Sequence, residues 1–191
     1  MERALREVHG SLLVAVPREL AKRRGWKAGD RMLFGETKAG VVLDRAEPER
    51  GIAYTVGYEG RTLDEFLTLV KGRDIRRVID VRERPLSRKR GFSKRELEHA
   101  LGREGIGYVP LRELGSPSPA RRDYRSGGSF RVFARRYQAH LGSQRPSLEI
   151  LRALSAEAPS AILCFERDWQ ACHRSVLASY LGGEGFRLEH L

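Results

Sequence analysis

The sequence predicts an α/β protein in which a small β-rich domain precedes a mostly parallel open sheet with helices on both faces. From Ile52 onward, strand and helix signals alternate, as in strands joined by right-handed crossovers. Before that, short strand patterns surround one brief helix, and the polar stretch Ala46 to Gly51 separates the two patterns. We therefore expect a first domain over residues 1–46, a linker over 47–51 and an α/β domain over 52–191.

The first domain is predicted to hold three strands and one helix. Pro17 starts a helix that ends near Arg24, and Lys27-Ala-Gly-Asp30 forms a turn. The apolar runs predict strands at Leu12–Val16, Met32–Phe34 and Gly40–Leu43. So few short elements bury little apolar surface, and we expect a second copy or a partner to complete the core.

The larger domain is predicted to contain five strands and at least five helices. The strands are expected at Ile52–Val56, Arg77–Val81, Gly107–Val109, Ala161–Cys164 and Phe186–Leu191. The helices are expected after Thr62 and Ser93, and at Phe130–Leu141, Leu148–Glu157 and Cys172–Leu181. Thr62 with Glu65, and Ser93 with Glu96, each have the spacing of a capping box.

The chain of 191 residues carries 36 Lys and Arg against 25 Asp and Glu, a net charge of +11. This excess indicates an acidic partner, with nucleic acid the first candidate and nucleotides the second. No apolar run approaches the roughly 20 residues that cross a bilayer, and the N-terminus lacks the apolar core of a secretory signal. We therefore expect a cytoplasmic protein without membrane contact, whose Cys164 and Cys172 are reduced.

Three segments of the first domain form a pattern: Gly10-Ser-Leu-Leu-Val-Ala-Val-Pro17, Gly25-Trp-Lys-Ala-Gly-Asp30 and Gly40-Val-Val-Leu43. On these segments, residues 4 to 45 resemble the AbrB/MazE/SpoVT swapped-hairpin domain. The resemblance implies a homodimer in which two chains exchange hairpins, and DNA-phosphate contacts by basic helix residues, with Lys22 at a basic position of the family's helix. Arg18, Lys22, Arg23 and Arg24 are the candidates for phosphate contact, and a solvated helix face is the alternative. Leu13 stands where DNA-binding members often have Arg, so a module used only for dimerisation is an open alternative.

In the larger domain, polar residues follow the predicted strands at their carboxyl ends, where parallel sheets bind ligands. Tyr58 follows the first strand, Asp80 and Arg82 close the second, and Cys164 and Glu166 close the fourth. The sequence Cys172-His173-Arg174 opens the helix after the fourth strand. We expect these groups to converge on one edge of the sheet.

The same residues belong to five motifs: Tyr54-Thr-Val-Gly-Tyr58, Ile79-Asp-Val-Arg82, Pro85-Leu-Ser-Arg88, Leu163-Cys-Phe-Glu166 and Cys172-His-Arg174. On these motifs, residues 51 to 191 resemble the family known as domain of unknown function 488. The resemblance implies an α/β fold and a site at these motifs, without an established reaction. We expect Tyr58, Arg82, Arg88 and Arg174 to bind an anion.

The candidate catalytic residues are Asp80, Glu166, Cys172 and His173. A helix start at Cys172 favours anion binding there, and the same field would make Cys172 a thiolate nucleophile, although an inert structural role is also open. Asp80 and Glu166 could act as general base and acid; alternatively, Asp80 pairs with Arg82 or Arg174 and orients a basic cluster.

A metal site would need Cys164, Glu166, Cys172 and His173, which are ligand types suited to zinc. The eight-residue separation of the cysteines is not a zinc-ribbon spacing, and there is no second Cys pair. We therefore predict no metal site and assign no cofactor.

Two basic segments, Arg82–Arg95 and Arg121–Arg136, contain aromatic residues among their arginines, a pattern suited to phosphate tracking with base stacking. Solvated loops and core aromatics are the alternative. Gly115-Ser-Pro-Ser-Pro119 and Gly127-Gly128 are predicted to form mobile loops, and Trp169 either stacks on a base or covers the core.

These observations predict a DNA- or nucleic-acid-binding protein whose α/β domain has a phosphate- or nucleotide-directed site. Catalysis, with Cys172 or a carboxylate as the reactive group, is left open. The alternative is a non-enzymatic transcription or antitoxin-type regulator. It would sense a small anionic ligand and use the first domain for dimerisation or for binding a protein partner.

Overall fold

The computed structural model describes residues 5–8, 11–28, 30, 32–37, 40–45 and 50–191. The chain divides into two compact units, and the division falls between residues 48 and 49. The predicted linker over 47–51 lies partly outside the described residues, which resume at Arg50.

The described residues of the first unit form two antiparallel strand pairs and one short helix. The pairs are β1 (Leu5–Val8) with β2 (Ser11–Val14), and β3 (Met32–Thr37) with β4 (Gly40–Arg45). Helix α1 (Arg18–Arg24) ends at Gly25, whose φ of 67° is a left-handed conformation that glycine adopts without strain. Strand β1 was not predicted, because two charged residues interrupt its apolar pattern. Hairpin exchange between two chains stays a prediction.

The second unit is an α/β domain. Its strands are β5 (Ile52–Gly57), β6 (Arg77–Asp80), β7 (Gly107–Pro110), β8 (Ser160–Cys164) and β9 (Arg187–His190). Its helices are α2 (Leu63–Lys71), α3 (Lys94–Arg103), α4 (Ser118–Arg125), α5 (Phe130–Gly142), α6 (Arg145–Glu157) and α7 (Arg174–Gly183), with a 3-10 turn at Arg112–Leu114.

The five strands form one sheet in the order β7-β6-β8-β5-β9, and each neighbouring pair is parallel. The prediction of a mostly parallel sheet is therefore confirmed. Strand β8 enters between β5 and β6, although more than seventy residues separate it from either in the chain. Gly57 is paired with Cys164, and Asp80 with Leu163, so the carboxyl ends of the three central strands lie side by side.

Helices cover both faces of the sheet, as predicted. Because successive strand residues face opposite sides, Tyr54 and Val56 pack against α2 and α3, whereas Ala53 belongs to the opposite core with α5, α6 and α7. Ile162 on β8 lies in that second core, and its neighbour Leu163 lies in the first. Burial on both faces explains why β8 is a continuous apolar run.

The two predicted capping boxes had different outcomes. Thr62 accepts the backbone N–H of Glu65, and Glu65 accepts that of Thr62, which confirms the first box. The second prediction was wrong. Ser93 precedes α3 but exchanges hydrogen bonds with the backbone of Ser87 (3.1 and 3.3 Å), and Glu96 accepts the N–H of Gly91. These side chains hold the preceding loop in place.

The segment read as mobile loop at residues 115–119 instead leads into α4, with Pro119 in its first turn. Proline is compatible with the first turn of a helix, because the N–H groups there have no intrahelical acceptor. The predicted start of α7 also moves from Cys172 to Arg174. Within the part of the chain that the structure describes, no helix is both long and apolar enough to cross a membrane.

Candidate functional site

At the carboxyl end of β6, Asp80 and Arg82 form a buried ion pair. Arg82 Nε donates to Asp80 Oδ1 over 2.8 Å, and Arg82 Nη2 donates to Oδ2 over 2.6 Å. Tyr108 on the neighbouring β7 donates its hydroxyl to Oδ2 over 2.6 Å. Arg82 Nη1 donates to the Tyr58 hydroxyl and to the Phe92 carbonyl oxygen, each over 2.9 Å. Both predicted site residues are thus engaged within the protein.

This network favours the ion-pair alternative for Asp80 over a role as general base. Burial and the Asp80 carboxylate raise the pKa of Tyr108, so that hydroxyl stays a donor. Burial opposes the charge of Arg82, but its bonds to Asp80 raise the pKa of Arg82 above its usual value. Arg82 positions Tyr58, whose ring stacks on Phe92 with centroids 4.3 Å apart.

At the end of β8 and before α7, two thiols, a carboxylate and an imidazole converge. Glu166 Oε2 lies 2.9 Å from Cys164 Sγ and 3.3 Å from Cys172 Sγ. His173 Nδ1 lies 3.6 Å from each sulfur. The ligand-type atoms of the four residues lie within 4.8 Å of one another. We call these four residues the Cys–Glu–His cluster.

The two cysteines differ in acidity. Burial raises the pKa of the Cys164 thiol well above its ordinary value. Burial also opposes ionisation of Cys172, but Cys164, His173 and Arg174 together lower the pKa of Cys172 well below the ordinary value. Burial opposes protonation of His173, yet Cys172 and Glu166 raise the pKa of His173.

Arg174 lies behind the cluster, where its side chain is fully buried. Its Nη2 donates to the backbone oxygen of Glu166, and its Nε lies 3.4 Å from Cys172 Sγ. Its Nη1 has no hydrogen-bond partner among the described residues. The guanidinium does not line the cavity described next, and anion binding by Arg174 stays a prediction.

A cavity of about 570 Å³ opens above the Cys–Glu–His cluster, and Cys164, Glu166 and His173 form part of its wall. Six cationic side chains and two carboxylates line it: Arg82, Arg84, Arg88, Lys89, Arg121, Arg125, Glu83 and Glu166. Of the predicted anion-binding residues, Tyr58, Arg82 and Arg88 lie here. Sequence reasoning missed Arg84, Lys89, Arg121 and Arg125 as individual residues, although it noted the basic segments that contain them.

The cations of this cavity differ in their partners. Arg121 is paired with Glu83 (2.8 Å), and Arg125 lies 3.4 Å from Glu166. Arg84 and Arg88 are exposed and have no hydrogen-bond or ion-pair partner in the described part of the chain. These two guanidinium groups are therefore available to an anionic ligand.

A second cavity of about 480 Å³ adjoins the first and is lined by Cys172 and His173, and by the aromatic residues Tyr124, Phe133 and Phe165. Tyr124 on α4 stacks on Phe133 of α5 with ring centroids 5.1 Å apart. Trp169 stacks on His190 at a centroid distance of 3.6 Å, so one of its faces is covered by the last strand.

Glycine at position 57 lets the loop after β8 approach the end of β5. A Cβ there would lie 1.9 Å from the backbone oxygen of Glu166. The Glu59 backbone N–H donates to the Phe165 carbonyl oxygen over 2.9 Å, and the Glu59 side chain accepts the N–H of Arg167 over 3.0 Å. These contacts hold Glu166 over the two sulfurs.

In the first unit, the predicted phosphate-binding residues Arg18, Lys22, Arg23 and Arg24 are exposed on α1. No residue of this helix is buried. Four cationic side chains are thus presented to solvent by a single short helix.

Comparison with known proteins gives one match. The family model described as "Domain of unknown function DUF488" matches residues 62–181, which contain Asp80, Arg82, both cavities' basic residues and the whole Cys–Glu–His cluster. No curated protein and no solved structure matches the chain.

Proposed function

The chain belongs to the DUF488 family, and we propose that its α/β domain binds a phosphate group of nucleic acid or a nucleotide in the basic cavity above the Cys–Glu–His cluster. The single observation that carries this proposal is the excess of cations over carboxylates around that cavity. Arginine suits this role because its planar guanidinium binds phosphate oxygens through two parallel hydrogen bonds.

Two features of the cavity support a nucleic-acid ligand. Arg84 and Arg88 have free donors, and Phe165 in the wall is partly exposed at 38%. An exposed ring beside unpaired guanidinium groups is the combination that binds single strands, because bases stack on rings while cations follow the phosphates.

The binding test uses the full chain with a fluorescent single-stranded oligonucleotide, and with a mononucleotide as competitor. Each charge-assisted hydrogen bond contributes about 1.5–3 kcal/mol, so Arg84→Gln with Arg88→Gln is expected to weaken binding by at least about tenfold. Arg103→Gln, at an exposed position on α3 and away from the cavity, is the control. Equal affinities of the double variant and the control would refute the proposal. Competition shows which ligand is preferred: a mononucleotide that displaces the oligonucleotide at a similar concentration indicates a nucleotide site, and one that does not indicates a site for a strand.

We further propose that the domain transforms the ligand it binds, because thiol, carboxylate and imidazole groups lie in the cavity wall. Glu166 is the carboxylate that reaches the cavity, whereas the oxygens of Asp80 are occupied by Arg82 and Tyr108. Release of phosphate or cleavage of the oligonucleotide, lost in Glu166→Gln and Cys172→Ser, would support turnover. Binding without any turnover would favour the regulator that senses an anion.

For the first unit, we propose homodimerisation and contact with duplex DNA through α1. The support is that α1 buries no residue and exposes four cations. Sedimentation of the full chain at several concentrations tests the dimer; a monomer at every concentration would refute it.

A further inference from the structure

We infer that the Cys–Glu–His cluster is a zinc site, in which Cys164, Glu166, Cys172 and His173 each supply one ligand atom. The four atoms lie within 4.8 Å of one another. Tetrahedral Zn²⁺, with bonds of about 2.3 Å to sulfur and about 2.05 Å to nitrogen, places its N and S ligands about 3.6 Å apart. His173 Nδ1 lies 3.6 Å from both sulfurs. The inference does not rest on phosphate binding in the cavity. Because a four-coordinate zinc ion occupies all four side chains, it excludes a direct role of Glu166 or Cys172 as the reactive group of the proposed turnover.

The carboxylate needs a small adjustment. Glu166 Oε2 lies 2.9 and 3.3 Å from the two sulfurs, where a tetrahedral ligand would lie about 3.5 Å from each. The tetrahedral arrangement therefore requires the Glu166 side chain to move away from the sulfurs by about half an ångström or less.

The imidazole is oriented as a metal ligand. His173 Nε2 lies 3.2 Å from the carbonyl oxygen of Val81, to which it donates its proton. In the neutral imidazole, Nδ1 then carries a lone pair, and this atom faces both sulfurs. A backbone carbonyl bound to the second ring nitrogen is the usual support of a zinc-binding histidine.

Charge balance also favours a divalent cation. Two thiolates and one carboxylate carry three negative charges, and Zn²⁺ leaves a single negative charge on the complex. Arg174 lies 3.4 Å from Cys172 Sγ, and Arg125 lies 3.4 Å from Glu166. Arg174 is fully buried, and no carboxylate pairs with it among the described residues. The thiolate of Cys172 supplies the negative charge that Arg174 otherwise lacks.

The types of ligand atom in the cluster indicate which metal ion it binds. Thiolate and imidazole ligands suit Zn²⁺, whereas Mg²⁺ and Ca²⁺ take oxygen ligands. The proposal revises the sequence-based expectation of no metal, which relied on the spacing of the cysteines along the chain. The end of β8 and the start of α7 bring the four ligands together without a zinc-ribbon spacing.

The test is a titration of the full chain, stripped with a chelator and kept reduced, with Zn²⁺ in competition with a chromophoric chelator. We expect one tight equivalent per chain. A parallel titration with Co²⁺ is expected to show the sulfur-to-cobalt charge-transfer band and the intense visible bands of a tetrahedral thiolate complex. The cobalt spectrum needs no variant, so it tests the site even if a cysteine variant fails to fold.

Two variants distinguish the cluster from the rest of the cavity. Glu166→Gln removes a proposed zinc ligand, and its matched control Glu83→Gln removes a carboxylate that lies outside the cluster. Glu83 also lines the cavity but pairs with Arg121 and Ser118, outside the cluster. Cys172→Ser is expected to lower Zn²⁺ affinity by at least about 100-fold, Glu166→Gln by at least about tenfold, and Glu83→Gln not at all. A cobalt spectrum without a charge-transfer band would overturn the inference, as would equal Zn²⁺ affinity in wild type and Cys172→Ser. Either result would leave the phosphate-binding test untouched.

Discussion

Arg82 and Asp80 form a two-point ion pair, with N–O distances of 2.8 and 2.6 Å, inside the α/β domain. Asp80 is fully buried and Arg82 is 6% exposed, so neither charge is solvated by bulk water. The pair joins β6 to Tyr108 on β7 and to Tyr58 after β5. Through these bonds the pair fixes the cavity wall, because it links the end of β6 to β7 and to the residue that follows β5.

Asp80→Asn should destabilise the protein strongly. The substitution leaves the Arg82 guanidinium buried without its counter-charge, and breaking a buried pair in this way costs about 3–5 kcal/mol. Urea unfolding followed by circular dichroism measures the change. Glu149→Gln is the control, because its pair with Arg152 lies on the surface, where such pairs contribute at most about 1 kcal/mol. Similar losses in both variants would contradict a structural role for the Asp80–Arg82 pair.

The alternation of strand and helix patterns in the sequence predicted the parallel sheet. It also predicted that polar residues meet at one edge, because parallel strands with helical crossovers place their carboxyl ends together. That rule brought Tyr58, Asp80 and Glu166 to one edge. Strand order does not follow from alternation, so the insertion of β8 between β5 and β6 could not be read from the chain. The spacing of Cys164 and Cys172 along the chain likewise could not show that their side chains lie close together, since this proximity depends on the loop between β8 and α7.

Two side-chain roles also depended on neighbours distant in the sequence. Arg82 and Arg174 were predicted to bind an anion from their positions after two strands. The bonds of Arg82 to internal acceptors and the burial of Arg174 behind Cys172 could not be predicted from those positions. The role of Tyr108 could not be assigned from the sequence, because its bond to Asp80 requires β7 to lie beside β6. Hydrogen-bond partners across a sheet cannot be assigned before the strand order is known.

Gly57→Ala should disturb the site through the backbone. The new methyl group would lie 1.9 Å from the Glu166 carbonyl oxygen, and neither backbone segment can move freely. Overpacking of this kind costs about 1–3 kcal/mol or more. Gly142→Ala in α5 is the control, because its Cβ meets nothing within 4 Å and alanine favours the helix. Unfolding midpoints of the two variants are compared, and an equally stable Gly57→Ala would show that the close approach is not required.

His190 should make the stability depend on pH. Burial, together with the charge of Arg174, lowers the pKa of His190, which also bonds Thr55 Oγ1 over 2.8 Å and stacks on Trp169. The folded-state pKa lies below the unfolded value of about 6.5. The stabilisation of the folded protein by the neutral ring is therefore fully present at pH values above the unfolded pKa. It declines as the pH falls through the folded-state pKa.

The measurement compares unfolding free energies of wild type and His190→Gln at about pH 7.5 and about pH 5. We expect the difference between the two proteins to shrink at the lower pH. His99→Gln, at an exposed position on α3, is the comparison variant. If the difference in unfolding free energy between wild type and His190→Gln were the same at both pH values, folding would not favour the neutral form of the His190 ring.

The four cations of α1 should control the salt dependence of duplex binding by the full chain. For B-DNA, log K falls with log salt concentration at a slope of about 0.9 per neutralised phosphate. Lys22→Gln with Arg24→Gln is therefore expected to reduce that slope by about 1.8 for each chain that contacts the duplex, with a uniform loss of affinity across sequences. Lys71→Gln, whose side chain pairs with Glu104 on the second unit, should leave the slope unchanged. Titrations of a labelled duplex at several salt concentrations give the slopes. If the protein dimerises yet the double variant keeps the wild-type slope, the first unit acts in dimerisation and the phosphate contacts lie elsewhere.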